Sequence, residues 1–149
     1  RKESSAASDV YKRQALGAAD ALGAGRGPYG LQAAIAECHA VAASIDETDW
    51  DRIVVLYEAL GRIAPSPVVE LNRAAAVAMA TGPASALQII DRLASSGALA
   101  GYHLLPATRA ELLLRLGRDD EARSEFAVAA SLAGNDRERA LLRAKAEGR

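Results

Sequence analysis

The feature that most constrains the fold of this chain is a pattern of small and large apolar residues on either side of Gly117. Small residues at helical spacing allow two helix axes to approach closely, and a large residue beside them fills the remaining gap. No segment has the alternation of β-branched residues that is typical of a strand. The pattern therefore predicts an all-helical (all-α) fold of antiparallel hairpins. The residues that carry it are Ala110 and Leu113 before the glycine, and Ala122, Phe126 and Ala129 after it.

A second copy of this pattern surrounds Gly82, which lies 35 residues before Gly117. The spacing is close to the period of about 34 residues in tetratricopeptide (TPR) repeats. A weaker copy ends at Pro65, and Gly134 stands where a TPR often has proline. We therefore expect degenerate, TPR-like hairpins stacked in a short solenoid of about seven helices. The second copy comprises Ala75, Ala78, Ala86, Ile90 and Leu93, and the weaker one Ile53, Tyr57 and Leu60.

Prolines, glycines and capping residues predict where the helices begin and end. The predicted helices begin at Pro28 and near Thr48, and continue as segments near 67–80, 83–94, 102–116, 119–133 and from 135 onwards. Apolar residues spaced by three and four predict one buried face on each of the first two helices. These faces are Leu31, Ile35, Cys38, Ala42 and Ile45, and then Ile53, Leu56, Tyr57, Leu60 and Ile63.

Four residues are suited to helix ends. The hydroxyl of Thr48 can cap the second helix, where the carboxylates that follow it also suit the helix dipole. Asp119 can cap the sixth helix and Asn135 the seventh. Gly117 is suited to the C-terminal end of the fifth helix, because glycine readily adopts a left-handed backbone there.

The composition limits the classes of function. The chain has 149 residues, a formal net charge of −1 and no clustered basic field, so we expect no direct contact with nucleic acid. No apolar run is long enough to cross a bilayer and no secretion signal opens the sequence, so we expect no membrane association. Cys38 is the single cysteine, which excludes an intrachain disulfide and fits a reducing compartment. We therefore expect a cytoplasmic protein.

Residues 1–14 differ in character from the rest. The run from Asp9 to Gln14 back-translates to GAT GTG TAT AAG AGA CAG, which resembles the transposon end used in sequencing-library preparation. We expect residues 1–14 to be a non-native, adapter-derived lead and 15–26 to be the remnant of a preceding helix and linker. Residues 27–147 are then the TPR-like domain. Without the lead, the chain has 14 basic and 17 acidic residues.

Few residues suggest chemistry. Cys38 and His39 are adjacent on a predicted helix, so they point in different directions and rarely bind one metal together. The chain has only two histidines and no Cys/His cluster with ligand spacing. We expect a structural thiol, no bound metal, no cofactor and no catalytic residue.

Four polar or aromatic residues allow a structural or a binding interpretation. Asn72 and Arg73 can contact a partner from the inner face of the repeat, or Arg73 can pair with a carboxylate such as Glu70 or Glu111. His103 is either a proton-transfer group or part of a packed helix entry. Trp50 either anchors a partner or staples its helix to the core. For Asn72 with Arg73, for His103 and for Trp50 we favour the structural interpretation.

A set of short segments, taken in order, resembles the C-terminal helical extension of extracytoplasmic-function (ECF) RNA polymerase sigma factors. The resemblance runs from about Arg26 to Arg143. Each segment is weak alone, whereas their order and spacing are specific. They are Gly27-Pro28-Tyr29, Leu31-Gln32-Ala33-Ala34-Ile35, His39-Ala40, Thr48-Asp49-Trp50, the run from Pro65 to Ala74, Gly82-Pro83, Tyr102-His103, Arg109-Ala110, Leu116-Gly117 and Glu121-Ala122.

This resemblance implies a role in transcription initiation. In such sigma factors, two N-terminal helical domains engage RNA polymerase and promoter DNA, and the TPR-like extension tunes their activity. The present sequence contains neither promoter-reading domain, so we expect it to be a fragment whose sigma activity belongs to the parent protein. The family is not enzymatic, so the resemblance carries over no catalytic residue.

We therefore expect a regulatory domain that acts through protein contacts. The partners would be the missing sigma domains, RNA polymerase through the parent protein, or a separate regulator, and truncation would favour weak self-association. The alternative is a free-standing TPR-like adaptor for a protein or peptide, and an enzyme or ligand-binding domain ranks third. The candidate contact residues are Gln32, His39, Asn72, Arg73, His103 and Arg109.

Overall fold

The computed structural model of the chain describes residues 27–42 and 47–149. Over these residues the fold is all-helical, as the sequence predicted, with seven helices and no strand. The predicted lead at 1–14 and remnant at 15–26 lie outside them, as does Ile45 of the first predicted face. The helices are α1 (residues 27–41), α2 (Trp50–Ile63), α3 (Pro67–Ala80), α4 (Pro83–Ser96), α5 (Leu104–Arg115), α6 (Asp119–Leu132) and α7 (Asp136–Ala146).

The chain divides into two compact units, with the boundary between Ala80 and Thr81. In the first unit, α2 packs against α3. In the second unit, α4 packs against α5, α5 against α6, and α6 against α7. Short turns connect the helices of each packed pair, which is why neighbours in sequence are also neighbours in space.

The α5–α6 hairpin has the small-and-large packing that the sequence predicted. Ala110, Ala122 and Ala129 have no exposed surface, and Phe126 is only 2% exposed. The three alanines bring little side-chain volume between the helices, so the backbones approach and the phenylalanine ring closes the space beside them. This hairpin is the centre of the second unit, since α4 packs on one of its helices and α7 on the other.

Two positions assigned to the core are exposed, and Ala42 of the first predicted face is half-buried. Ala75 is exposed, whereas Ala74 beside it has no exposed surface. Adjacent helical residues differ by about 100° around the axis, so only one of the two alanines can face the core. Ile63 is 43% exposed because it is the last residue of α2, where the helix ends. Tyr57, placed in the same predicted stripe, is half-buried.

Two predicted N-caps are also corrected by the structure. Asp49, and not Thr48, caps α2, because its carboxylate accepts a hydrogen bond of 3.1 Å from the backbone N–H of Arg52. Asp119 is the first residue of α6, not its cap, and the capping position is held by Arg118, which makes no side-chain capping bond. A carboxylate in the first helical turn still suits the positive end of the helix dipole.

Two other helix ends are as predicted. Asn135 caps α7, since its side-chain oxygen accepts from the backbone N–H of Glu138 at 2.8 Å. Gly117 follows α5 with φ of +77°, and the N–H of Arg118 reaches the carbonyl of Leu113 at 2.9 Å. This is the Schellman arrangement, in which a left-handed residue closes the helix and satisfies its last carbonyls. No helix in the described part of the chain combines the length and the apolar character needed to cross a bilayer.

Candidate functional site

The first unit contains an open groove of about 560 Å³ that lies between α1, α2 and α3. Leu60 and Ile35 are buried residues at its floor, and Val69 is half-buried. We call this surface the α1–α3 groove. Its lining comprises Gln32, Ile35, Ala36 and His39 of α1, Tyr57 and Leu60 of α2, Ala64 and Ser66 of the connection, and Val68, Val69 and Asn72 of α3.

Three of the six predicted contact residues meet in this groove. Gln32 and His39 reach it from α1, and Asn72 reaches it from α3. All three are exposed. Within the described residues, the side-chain amides of Gln32 and Asn72 make no hydrogen bond. Each amide can both donate and accept, so the groove offers two unused polar groups above an apolar floor.

The lining of the α1–α3 groove is almost uncharged. Among its described lining residues there is no aspartate, glutamate, lysine or arginine. Tyr57 adds a phenol whose pKa is raised by burial, so its hydroxyl stays protonated. The groove therefore presents hydrogen-bonding groups without a net charge.

Trp50 supports one edge of the groove. As the first residue of α2, it meets the ring of His39 edge-on, with the ring centroids 5.4 Å apart. The contact links the start of α2 to α1 and so orients the histidine at the groove. This position is in keeping with the stapling role that we favoured for Trp50.

Arg73 points to a different environment from its neighbour Asn72. Its guanidinium donates two hydrogen bonds to Glu70, of 2.7 and 3.1 Å, and lies 3.9 Å from Glu58 of α2. The bond to Glu70 raises the pKa of Arg73, which keeps it charged. Of the two carboxylates considered for Arg73, Glu70 is the one it contacts, whereas Glu111 pairs with Lys145.

Arg109 lies in the second unit, where it joins three helices. From α5 it donates to Asp91 of α4 at 2.9 Å and lies 3.3 Å from Glu125 of α6. The bond to Asp91 raises the pKa of Arg109. Both carboxylates are thereby held by one guanidinium, so this arginine is occupied within the unit.

His103 is also engaged inside the second unit. It is the N-cap of α5, and its Nε2 lies 2.6 Å from a carboxylate oxygen of Glu138 in α7. The ring of Tyr102 meets it edge-on, with centroids 5.6 Å apart. The packed helix entry that we favoured for His103 is what the structure contains.

The six predicted residues thus separate into two groups. Gln32, His39 and Asn72 share one groove, while Arg73, His103 and Arg109 hold carboxylates of their own units. Tyr57 and Val68 are groove residues that the sequence pattern did not indicate, and Val68 is 42% exposed. Tyr57 could have been found from its hydroxyl, which suits the edge of an apolar stripe better than its centre.

Cys38 and the histidines form no metal site. In residues 27–42 and 47–149, no three histidine, cysteine, aspartate or glutamate side chains are close enough together to hold a metal ion. The Cys38 thiol is buried, and this burial raises its pKa, against the opposing effect of the positive charge of Arg52. A thiol in this state is a weak nucleophile.

The second unit has a smaller cleft of about 330 Å³ with a mixed charge. Lys145 lies in it, bound to Glu111 and 5.5 Å from the centre of the Phe126 ring. Its cation is therefore compensated by a carboxylate and an aromatic face. Asp119, Arg123 and Arg149 also line the cleft, so it differs from the α1–α3 groove in being lined by charged residues.

Comparison with known proteins finds a relative that is itself uncharacterized. The chain is 48% identical over 117 residues to an uncharacterized protein of Rhizobium meliloti (strain 1021), R00370. The alignment covers 78% of this chain and 27% of that relative, so the chain spans about a quarter of the relative's length. No protein-family model matches the chain. No solved structure matches it either.

Proposed function

We propose that this chain is the regulatory, protein-binding domain of an ECF-type RNA polymerase sigma factor, and that it binds its partner in the α1–α3 groove. The parent protein would initiate transcription in the cytoplasm, and this helical part would tune it. The binding role is carried by the meeting of Gln32, His39 and Asn72 in one open groove. The sigma factor assignment rests on the resemblance of the sequence segments given above. No residue is assigned a catalytic role.

The division among the predicted residues supports a binding role for this groove. Arg73, His103 and Arg109 already contact carboxylates, so these side chains are used within the fold. The amides of the groove have no such use in the described part of the chain. Exposed polar groups around an apolar floor are typical of a recognition surface.

The relative supports a domain of a longer protein over a free-standing adaptor. In the Rhizobium meliloti protein, the matching 117 residues are 27% of the sequence, so that helical segment is joined to much further sequence. An adaptor would use the same groove but would have no relation to RNA polymerase. The two functions therefore differ in one measurable property, which is the association of the longer protein with polymerase.

The test uses the full-length Rhizobium meliloti relative and purified core RNA polymerase. Binding is measured by size-exclusion chromatography, and initiation is measured by run-off transcription from genomic promoter fragments. We expect the relative to bind the core enzyme and direct initiation, and we expect removal of its matching segment to change the amount of transcript. A relative that neither binds core polymerase nor supports initiation would contradict the sigma factor proposal and leave the adaptor.

A further inference from the structure

We propose that the α1–α3 groove binds an uncharged, aliphatic peptide segment in an extended conformation, with Gln32 and Asn72 holding the main chain of that segment. The inference rests on the proposed function, because it names the partner chemistry of the same groove. It concerns the class of segment that is recognised, whichever longer protein carries it.

The lack of permanent ions among the described lining residues of the groove indicates an uncharged partner. None of its described lining residues is a permanent ion, so a charged peptide side chain entering it would lose water without gaining an ion pair. An uncharged segment avoids this cost. Buried Ile35 and Leu60, with exposed Val68, supply apolar surface against which aliphatic side chains can pack.

The two amides, which make no hydrogen bond within residues 27–42 and 47–149, favour one conformation of the bound peptide. Gln32 and Asn72 lie on opposite helices of the groove, and each offers an N–H donor together with a carbonyl acceptor. A peptide group of an extended chain presents the complementary pair, whereas the peptide groups of a helix are already bonded to one another. An extended main chain can therefore satisfy both amides, and a helical ligand would leave them without main-chain partners.

The test is a selection with random heptapeptides displayed on phage against the immobilised 149-residue chain. The most enriched peptide is then synthesised with a fluorescent label, and its dissociation constant is measured by fluorescence anisotropy. We expect enriched peptides without charged residues and rich in valine, leucine, serine and threonine. N-methylation of one or two of its peptide bonds, which removes a main-chain donor, should weaken binding by about tenfold.

Variants of the chain locate the binding. Gln32→Ala and Asn72→Ala should each weaken binding of the labelled peptide by about tenfold, because each removes an amide that bonds the main chain of the peptide. Both residues are exposed on helices, and alanine favours a helix, so neither change should unfold the chain. Gln88→Ala is the matched control, since Gln88 is exposed on α4 in the second unit and should leave the dissociation constant unchanged.

Several outcomes would overturn the proposal. These are the enrichment of acidic or basic peptides, the failure of any peptide to enrich, or a dissociation constant that neither Gln32→Ala nor Asn72→Ala changes. A dimer in sedimentation equilibrium that is lost in Asn72→Ala would show instead that a second copy occupies the groove. If no peptide binds but the relative still directs transcription, this inference fails and the sigma factor proposal stands. If a peptide binds the groove but the relative does not bind polymerase, the sigma factor proposal fails and this inference stands.

Discussion

The imidazole of His103 and the carboxylate of Glu138 lie 2.6 Å apart, although 35 residues separate them in sequence. His103 precedes α5, and Glu138 belongs to the first turn of α7, so this single bond joins the starts of two helices in the second unit. Glu138 also donates its backbone N–H to the capping side chain of Asn135 and accepts from that amide at 3.3 Å. One glutamate therefore serves both the cap of its own helix and the link to another.

We expect Glu138→Ala to lower the free energy of unfolding by about 1–2 kcal/mol, because a partly buried charge-assisted hydrogen bond is lost. Urea denaturation followed by circular dichroism measures the change. Arg137→Ala is the control, as Arg137 is exposed in the same helical turn, and it should shift stability by less than about 0.5 kcal/mol. A double-mutant cycle with His103→Ala that gave no coupling energy would contradict this account.

The contact between α5 and α6 allows no larger side chain. Ala110 is completely buried, so Ala110→Leu should force the helices apart and lower stability by about 1–3 kcal/mol. Thermal unfolding of both proteins checks the loss. Ala127→Leu makes the same chemical change at an exposed position of α6 and should alter stability by less than about 0.5 kcal/mol. If Ala110→Leu and Ala127→Leu lower stability equally, the close contact between α5 and α6 is not what limits side-chain size at position 110.

Glycine is required after α5 for its backbone conformation. Gly117 has φ of +77° with open space around its Cα, so Gly117→Ala should cost about 1–2 kcal/mol from backbone strain alone. Gly134 also has open space but does not have a positive φ. Gly134→Ala should therefore be neutral or stabilising by up to about 1 kcal/mol. The prediction fails if urea denaturation shows that the two variants are equally stable.

Alkaline pH should destabilise the chain through Cys38 and Tyr57. Burial raises the pKa of both groups, so above the pKa of the unfolded thiol the folded chain keeps protons that the unfolded chain has released. Their contribution to stability is thus complete at neutral pH and is lost as the pH rises. We expect urea midpoints to fall between neutral pH and about pH 10, near the intrinsic pKa of tyrosine.

The variants Cys38→Ala and Tyr57→Phe separate the two contributions to this pH dependence. At neutral pH, each variant should be no more stable than the parent chain. As the pH rises, the urea midpoint of each variant should fall less steeply than that of the parent chain, because one titrating group is missing. An unchanged slope in both variants would assign the alkaline loss to other groups.

Promoter DNA should not bind this chain. Outside the first 14 residues it has 14 basic and 17 acidic residues, and Arg73, Arg109 and Arg118 already pair with carboxylates. Gel-shift titration of a promoter fragment should therefore show no complex at physiological salt. A complex that weakens steeply as salt rises would reveal a phosphate-binding surface that we do not expect.

Much of the fold could be predicted from local signals. Pro67 and Pro83 begin α3 and α4, Gly117 ends α5, and Asn135 caps α7, because these residue types restrict the backbone or bond it directly. The small-and-large pattern around Gly117 also identified the core of its hairpin. Errors arose where a neighbouring residue could do the same task, as with Thr48 and Asp49.

The candidate site was predicted in part. Gln32, His39 and Asn72, which share the groove, were among the predicted contact residues. The sequence did not distinguish them from the other three candidates, Arg73, His103 and Arg109. Periodicity predicts the face of a helix on which a residue lies. It does not predict which carboxylate of another helix will lie beside that residue. The sequence therefore could not show that Arg73, His103 and Arg109 contact carboxylates within the fold.

The sequence by itself determined the helices, several of their ends and the small residues that let α5 and α6 approach, because these depend on backbone preference and spacing along one chain. Only the tertiary structure decided which polar groups remain unused. Glu138 reaches His103 across 35 residues, and Asp91 reaches Arg109 across 18. Such pairs depend on how helices pack, and the groove between α1 and α3 exists for the same reason.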